Sequence, residues 1–303
     1  MAFKPLIIFS FIVLLSSGLA KVARAEELSH DSASPTELTI PQPVSGTNDL
    51  YNYIVDILTK ALDVTASKFG PVTLLAVDEA AMQTSQLRDL EQQQLDITWS
   101  VTTAQREQRH QAIFIPITNG LFGQRVLLIR EDETRFDAPG SEASLKRLRY
   151  VQGHDWPDAH IYRANGYQVV ESTYRGAFTM LSEGFVDAFP RGILEIHQEL
   201  AARDNARFKI ERHVLFQYPS AMFFFVPKNK RMLAVRLEEG LTNLYQTGEL
   251  QRHLAKQPFY QSALETMQNR MVYHLANPLL SKRATQALNK YQFSDEQPNV
   301  DGQ

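Results

Sequence analysis

The chain has 303 residues, no cysteine, and 31 Lys and Arg against 34 Asp and Glu, for a net charge of −3. This mild acidity argues against a nucleic-acid partner, whose phosphates call for a basic surface. The absence of cysteine removes disulfides and thiolate metal sites, so a hydrophobic core must hold the fold. Lys4 precedes an apolar run from Leu6 to Leu15, followed by small residues and Ala23-Arg24-Ala25. That order predicts a signal peptide over residues 1–25, cleaved before Glu26. The apolar run is shorter than the roughly 20 residues that span a bilayer, and there is no cysteine to carry a lipid, so no membrane anchor is expected. Residues 26–36 are polar and aperiodic and predict a flexible leader.

A short strand is expected over Glu37–Ile40. Thr47-Asn48-Asp49 then offers caps for a helix with Leu50, Ile54, Ile57, Leu58, Ala61 and Leu62 on one face, stopped by Gly70-Pro71. Val72–Val77 reads as a second strand. Thr84-Ser85 opens a helix with Leu87 and Leu90, and Leu95–Ser100 reads as a third strand. The β-α-β-α-β order predicts a mostly parallel sheet. About ninety residues on, a helix with Ala177, Met180 and Leu181 hands over to Gly184–Phe189, a weak repeat of the first unit. Asp96 and Asp187 each follow an apolar residue at the handover. The repeat predicts two lobes of like construction, with Arg125–Ile129 and Ala221–Val226 as the crossings between them. Lobe 1 is expected over 37–124 plus 222–288, lobe 2 over 125–221, and a frayed tail over 289–303. The C-terminal part reads as helical, with one stripe of Leu233, Leu237, Leu241, Leu244 and Tyr245 and another of Leu264, Met267, Met271 and Leu275.

Four segments, in this order and spacing, carry a resemblance to a known family: Leu95 to Arg106, Ile113 to Ile117, Leu181 to Phe189, and Leu244 to Leu250. Together they resemble the periplasmic solute-binding proteins of the amino-acid-binding type, family 3. The resemblance implies an α/β fold, the two-lobed periplasmic-binding-protein (type II) clamshell, each lobe a mostly parallel sheet with flanking helices and two crossing strands as hinge. It also implies a small-molecule ligand between the lobes and no cofactor. The chain would then be a periplasmic monomer with a membrane permease or receptor as its further partner.

The same resemblance assigns the ligand carboxylate to Arg106, with Arg109 a rival in register. An Arg fork meets a carboxylate bidentately, which suits this task. Trp99 and Ser100 stand at the strand end, where Trp99 is either a cleft wall or a core residue. Thr102 and Thr103 either bond the ligand or cap the helix that follows. In the second lobe, Tyr150 to Trp156 reads as a strand, a glycine loop and a helix start. The resemblance gives Gly153 and its neighbours an anionic end to meet, with Asp155 as an alternative cap and Trp156 stacking on ligand or packing. His154 has no His partner and is a poor metal ligand.

The chain departs from the family pattern where amino-acid binders carry an acid about five positions after Asp187; here Gly192 stands beside Arg191. Val101 likewise replaces a common serine. Arg106 and Arg191 together suggest a ligand with two anionic groups, or one anionic group and an aromatic part. The alternative places Arg191 in a structural ion pair with Asp187 or Glu195. No Ser-His-Asp order, metal cluster or convincing carboxylate pair points to catalysis. The competing readings are a dehydratase-like enzyme on this fold, a free sensor, and an interaction protein with a degenerate cleft.

Overall fold

The computed structural model describes Met1 and residues 34–43, 48–78, 83–138, 140–203 and 207–293. The expected signal peptide and residues 26–33 of the leader lie outside the described residues after Met1. Thr36, expected in the leader, already belongs to the first strand. The strands are β1 (Thr36–Ile40), β2 (Val72–Ala76), β3 (Thr98–Val101), β4 (Gln111–Ile113), β5 (Gln124–Arg130) and β6 (Arg149–Gly153). They continue with β7 (Gln168–Ser172), β8 (Phe189–Gly192), β9 (Phe208–Ile210), β10 (Val214–Gln217), β11 (Met222–Val226) and β12 (Met271–His274).

These strands fall into two sets, each covered by helices and each forming a lobe. In the first, β1 pairs with β2, and β11 lies between β3 and β4. The N–H groups of Asp96 and Ile97 donate to the Thr39 carbonyl and tie the approach to β3 onto β1. The second set has the order β12-β10-β5-β8 with β9 also on β5, while a bridge between Tyr150 and Ala188 joins the β6–β7 pair to the approach to β8. Parallel pairing holds at β1–β2, β6–β7 and β10–β12. By contrast β5 and β11 run antiparallel to every partner, so the sheets are mixed. Each of these two strands enters its sheet straight from a crossing, without the helix that returns a chain to the same end of a parallel sheet.

The apolar patterns explain the core. The helix Asn48–Asp63 buries Leu50, Tyr53, Ile54, Ile57, Leu58, Ala61 and Leu62, one stripe at helical spacing. Along β5, Val126 and Leu128 enter one buried cluster while Leu127 and Ile129 enter another. A strand covered on both faces reads as a continuous apolar run. The repeated aspartates have one job in both lobes. Asp96 accepts the Thr39 N–H at 2.7 Å, and Asp187 accepts the Arg149 N–H at 2.7 Å, so each stitches the neighbouring strand to the handover.

Two expectations at the C-terminal end need correction. Met271 does not continue a helix: the helix Pro258–Met267 ends, and Met271–His274 forms β12 on the edge of the second sheet, parallel to β10. The spacing of Met267, Met271 and Leu275 suits a helix, but pairing with β10 overrides it. Residues 271–274 therefore leave lobe 1, and the chain passes between the sheets a third and fourth time. It returns through the helix Lys282–Lys290, whose Ser281 caps the Ala284 N–H, and the burial of Ala284, Ala287 and Tyr291 anchors what was expected to begin fraying at 289. Residues 294–303 of that tail lie outside the described residues. No described helix is long and apolar enough to cross a membrane.

Candidate functional site

A cavity of about 130 Å³ opens between the two lobes. Its first-lobe wall includes Leu50, Tyr51, Gln83, Trp99, Val101 and Met222, and its second-lobe wall includes Arg125, Trp156, Asp158, Tyr174, Arg191 and Glu195. At roughly 10–15 Å³ per water-sized position, this is room for a ligand of about ten non-hydrogen atoms.

Arg106 stands one layer behind that lining. Thr103 caps the helix Ala104–Arg109 by accepting the Arg106 N–H, which turns the Arg106 side chain back toward β3. Its Nη1 donates to Ser100 Oγ at 2.6 Å, to the Val101 carbonyl at 2.6 Å and to Gln83 Oε1 at 3.2 Å. All three acceptors are neutral, and among the described residues Arg106 makes no ion pair. Burial lowers the guanidinium's hold on its proton, an effect opposed by the charges of Asp155 and Asp158 across the cleft. Arg109, its rival in the sequence, is exposed.

Trp99 is 9 % exposed, lines the cavity and packs against Tyr51 and Phe224, so wall and core are both true of it. Ser100 Oγ donates to Gln83 and so braces Arg106. Neither Thr102 nor Thr103 lines the cavity. Thr102 Oγ1 donates to Glu107, and its N–H donates to the Ala221 carbonyl of the second crossing. Gly153 is likewise outside the lining, because a Cβ there would fall 2.5 Å from the Trp156 ring. That close approach lets Trp156 lie in the wall, stacked on Phe189 with centroids 6.2 Å apart. Trp156 also holds the cap position of the helix Pro157–Ala164, the place considered for Asp155.

Arg191 behaves differently from the expectation of a second anion receptor. It is 3 % exposed, and Glu199 takes its fork bidentately, with Nε donating to Oε2 at 2.6 Å and Nη2 to Oε1. The guanidinium also lies over Trp156 at 4.6 Å and Phe189 at 4.9 Å. Arg191 thus ion-pairs with Glu199, with Glu195 at 3.6 Å, and not with Asp187, whose partners are Arg135 and Arg149. Glu195 Oε2 lies 2.5 Å from where a Gly192 Cβ would sit. The Glu195 carboxylate has only the long contacts to Arg191 and, at 3.9 Å, Arg125, and no hydrogen bond among the described residues. Burial raises its carboxyl above the usual range, against the pull of Arg191.

The sequence reading missed Gln83, Tyr51, Tyr174, Arg125, Asp158 and Glu199. Arg125 pairs with Asp158 at 2.8 Å, and Tyr218 donates its hydroxyl to Asp158. Glu195 and Glu199 follow Arg191 at intervals of four, a helical spacing that is visible in the sequence; the other residues are brought in from distant segments. Among the described residues no group of three or more His, Cys, Asp or Glu side chains could hold a metal ion.

The sequence matches no protein-family model and no curated protein. Solved structures share its fold. A periplasmic binding protein of Salmonella typhimurium with high arginine specificity superposes with TM-score 0.54 at 15% identity, over 73% of this chain and 99% of that one. An ancestral arginine-binding protein bound to arginine gives 0.55 at 16%, over 74% and 99%. A histidine kinase sensor domain with similarity to periplasmic binding proteins gives 0.54 at 14%, over 75% and 97%. The chain therefore has the two-lobed periplasmic-binding-protein fold.

Proposed function

We propose that this chain is an exported solute-binding protein that captures a small zwitterion between its lobes and closes over it. Its product is a ligand-bound, closed form offered to a membrane permease or receptor. Among the described residues, the lobes run over 36–113 with 222–267 and 282–293, and over 124–217 with 271–274. What carries the reading is Arg106, a half-buried cation whose hydrogen bonds all go to neutral oxygens. A ligand carboxylate replaces Gln83 Oε1 on the guanidinium, gaining a charge-assisted pair where a neutral one stood. Glu195 receives the ammonium, since its carboxylate lines the cavity with no hydrogen-bond donor among the described residues. Tyr51, Trp99 and Trp156 enclose the apolar part. Because the two poles sit on different lobes, the ligand gains both contacts only when the lobes are together, and this difference in affinity drives closure.

This reading sets aside the dianion, because Glu199 already saturates Arg191. Native mass spectrometry of the mature chain purified without denaturation tests it. The expected adduct is a solute of about ten non-hydrogen atoms carrying both an acid and an amine, the size the cavity allows. A retained solute lacking the acid group would refute the assignment.

A further inference from the structure

Successive residues of a strand point to opposite faces, so Arg125 and Gln124 at the start of β5 look into different spaces. Arg125 lines the cleft. Gln124 lines a second cavity of about 620 Å³, walled by both crossings through Asn119, Tyr218 and Ser220 and by the C-terminal segment through His274 and Thr285. Among the described residues, no Lys, Arg, Asp or Glu belongs to its lining. Two residues of that lining, Gln124 and Ser220, each carry a buried side-chain oxygen with no hydrogen-bond partner among the described residues, and Ser220 is only 1 % exposed. Unpaired buried polar atoms are rare in folded proteins and call for a partner. A charged guest would be desolvated with no counter-charge, whereas a neutral guest rich in hydroxyls matches a wall of amides and hydroxyls.

The cavity also sits where the hinge must turn. Asn119 and Gly120 hold φ of 48° and 74° in the first crossing. Tyr218, in the second crossing, accepts from Arg125 Nε at 2.8 Å and donates to Asp158, and both of those residues face the cleft. A molecule bound between the crossings touches segments whose torsions change as the lobes rotate, so its affinity depends on the hinge angle. By linkage it shifts the affinity of the cleft for its own ligand by the same factor. We propose that this hinge cavity is a second ligand site, for a small neutral polyol, that biases the angle between the lobes.

The test titrates the full mature chain with glycerol, myo-inositol, glucose and trehalose by calorimetry, and follows the radius of gyration by small-angle scattering. At least one polyol saturates the wild type and changes the radius. Thr285→Trp, on the exposed face of the helix Lys282–Lys290, fills the cavity, weakens that binding by at least roughly tenfold and abolishes the change in radius. Gln124→Leu, which removes the unpaired acceptor, weakens it as well, while Arg106→Ala in the cleft leaves it intact. Failure of all four polyols to saturate, or binding by Thr285→Trp equal to wild type, would overturn the site. Saturation with an unchanged radius of gyration would overturn the coupling to the hinge.

Discussion

Arg106 and Arg191 flank the same cleft from opposite lobes, and they differ in what satisfies them. Arg191 is buried with a bidentate carboxylate, a second carboxylate nearby and aromatic rings beneath it. Arg106 is half-buried with a hydroxyl, a carbonyl and an amide oxygen as its acceptors. A buried charge paired within the protein belongs to the fold, and removing its partner is costly. A charge held only by neutral oxygens keeps its attraction for an anion from outside. Two arginines that look equivalent in the sequence therefore divide into a structural post and, under the proposed function, a receptor.

The sharpest way to break this comparison is Glu199→Ala. It leaves Arg191 buried opposite a single distant carboxylate and should cost about 3–5 kcal/mol of stability in urea unfolding. A loss below about 1 kcal/mol, the value of an exposed pair, would mean that Arg191 is not a post after all. Next in size is Gly153→Ala, which pushes the Trp156 ring off the wall that Arg191 stacks on. Overpacking of this kind costs about 1–3 kcal/mol, and the near-ultraviolet circular dichroism of the displaced tryptophan should change with it.

Acid should weaken the fold by a smaller, graded amount. Hydrogen bonds from Arg135 hold the Glu133 carboxyl down at about 2, below its ordinary 4.5. At Asp96, burial raises the carboxyl but Lys230 and Thr39 outweigh it, and the net direction is down. Groups lowered in the fold contribute stability above their unfolded values and lose it as pH falls through their folded ones. Unfolding free energy should therefore decline from pH 4.5 toward 2, and Arg135→Ala should flatten part of that decline; an unchanged slope in the variant would contradict the assignment. Glu195, raised by burial, works in the opposite sense, its cost appearing as pH rises above the ordinary value. The smallest stability effect belongs to Arg106→Ala. It gives up hydrogen bonds from a charged donor, offset by the relief of a half-buried cation, and should cost about 1–2 kcal/mol.

The fold was legible where its signals are local. The strands β1, β2 and β3, the helix beginning at Asn48 and the matching positions of Asp96 and Asp187 follow from short-range pattern. The Thr103 cap on the Arg106 N–H was legible for the same reason, since a cap and its third helical residue are neighbours in sequence. The strand β12 was not, because Met267, Met271 and Leu275 satisfy a helical period and only β10, distant in the chain, makes them a strand. The partner of Arg191 was half legible: Glu195 was in view, but the choice of Glu199 depends on how the helix Ile196–Ala201 folds back over β8. Gln83 and Asp158 reach the cleft through tertiary packing, and nothing in their surroundings in the sequence announces it.

The most direct measurement is calorimetry of the twenty common amino acids against wild type, Arg106→Ala and Arg191→Lys. The wild type should bind at least one of them, and Arg106→Ala should lose that binding by roughly a hundredfold, the scale of a removed charge-assisted pair. Arg191→Lys should keep it to within about tenfold wherever the variant stays folded. Undiminished binding by Arg106→Ala, or a loss confined to Arg191→Lys, would contradict the division of roles between the two arginines.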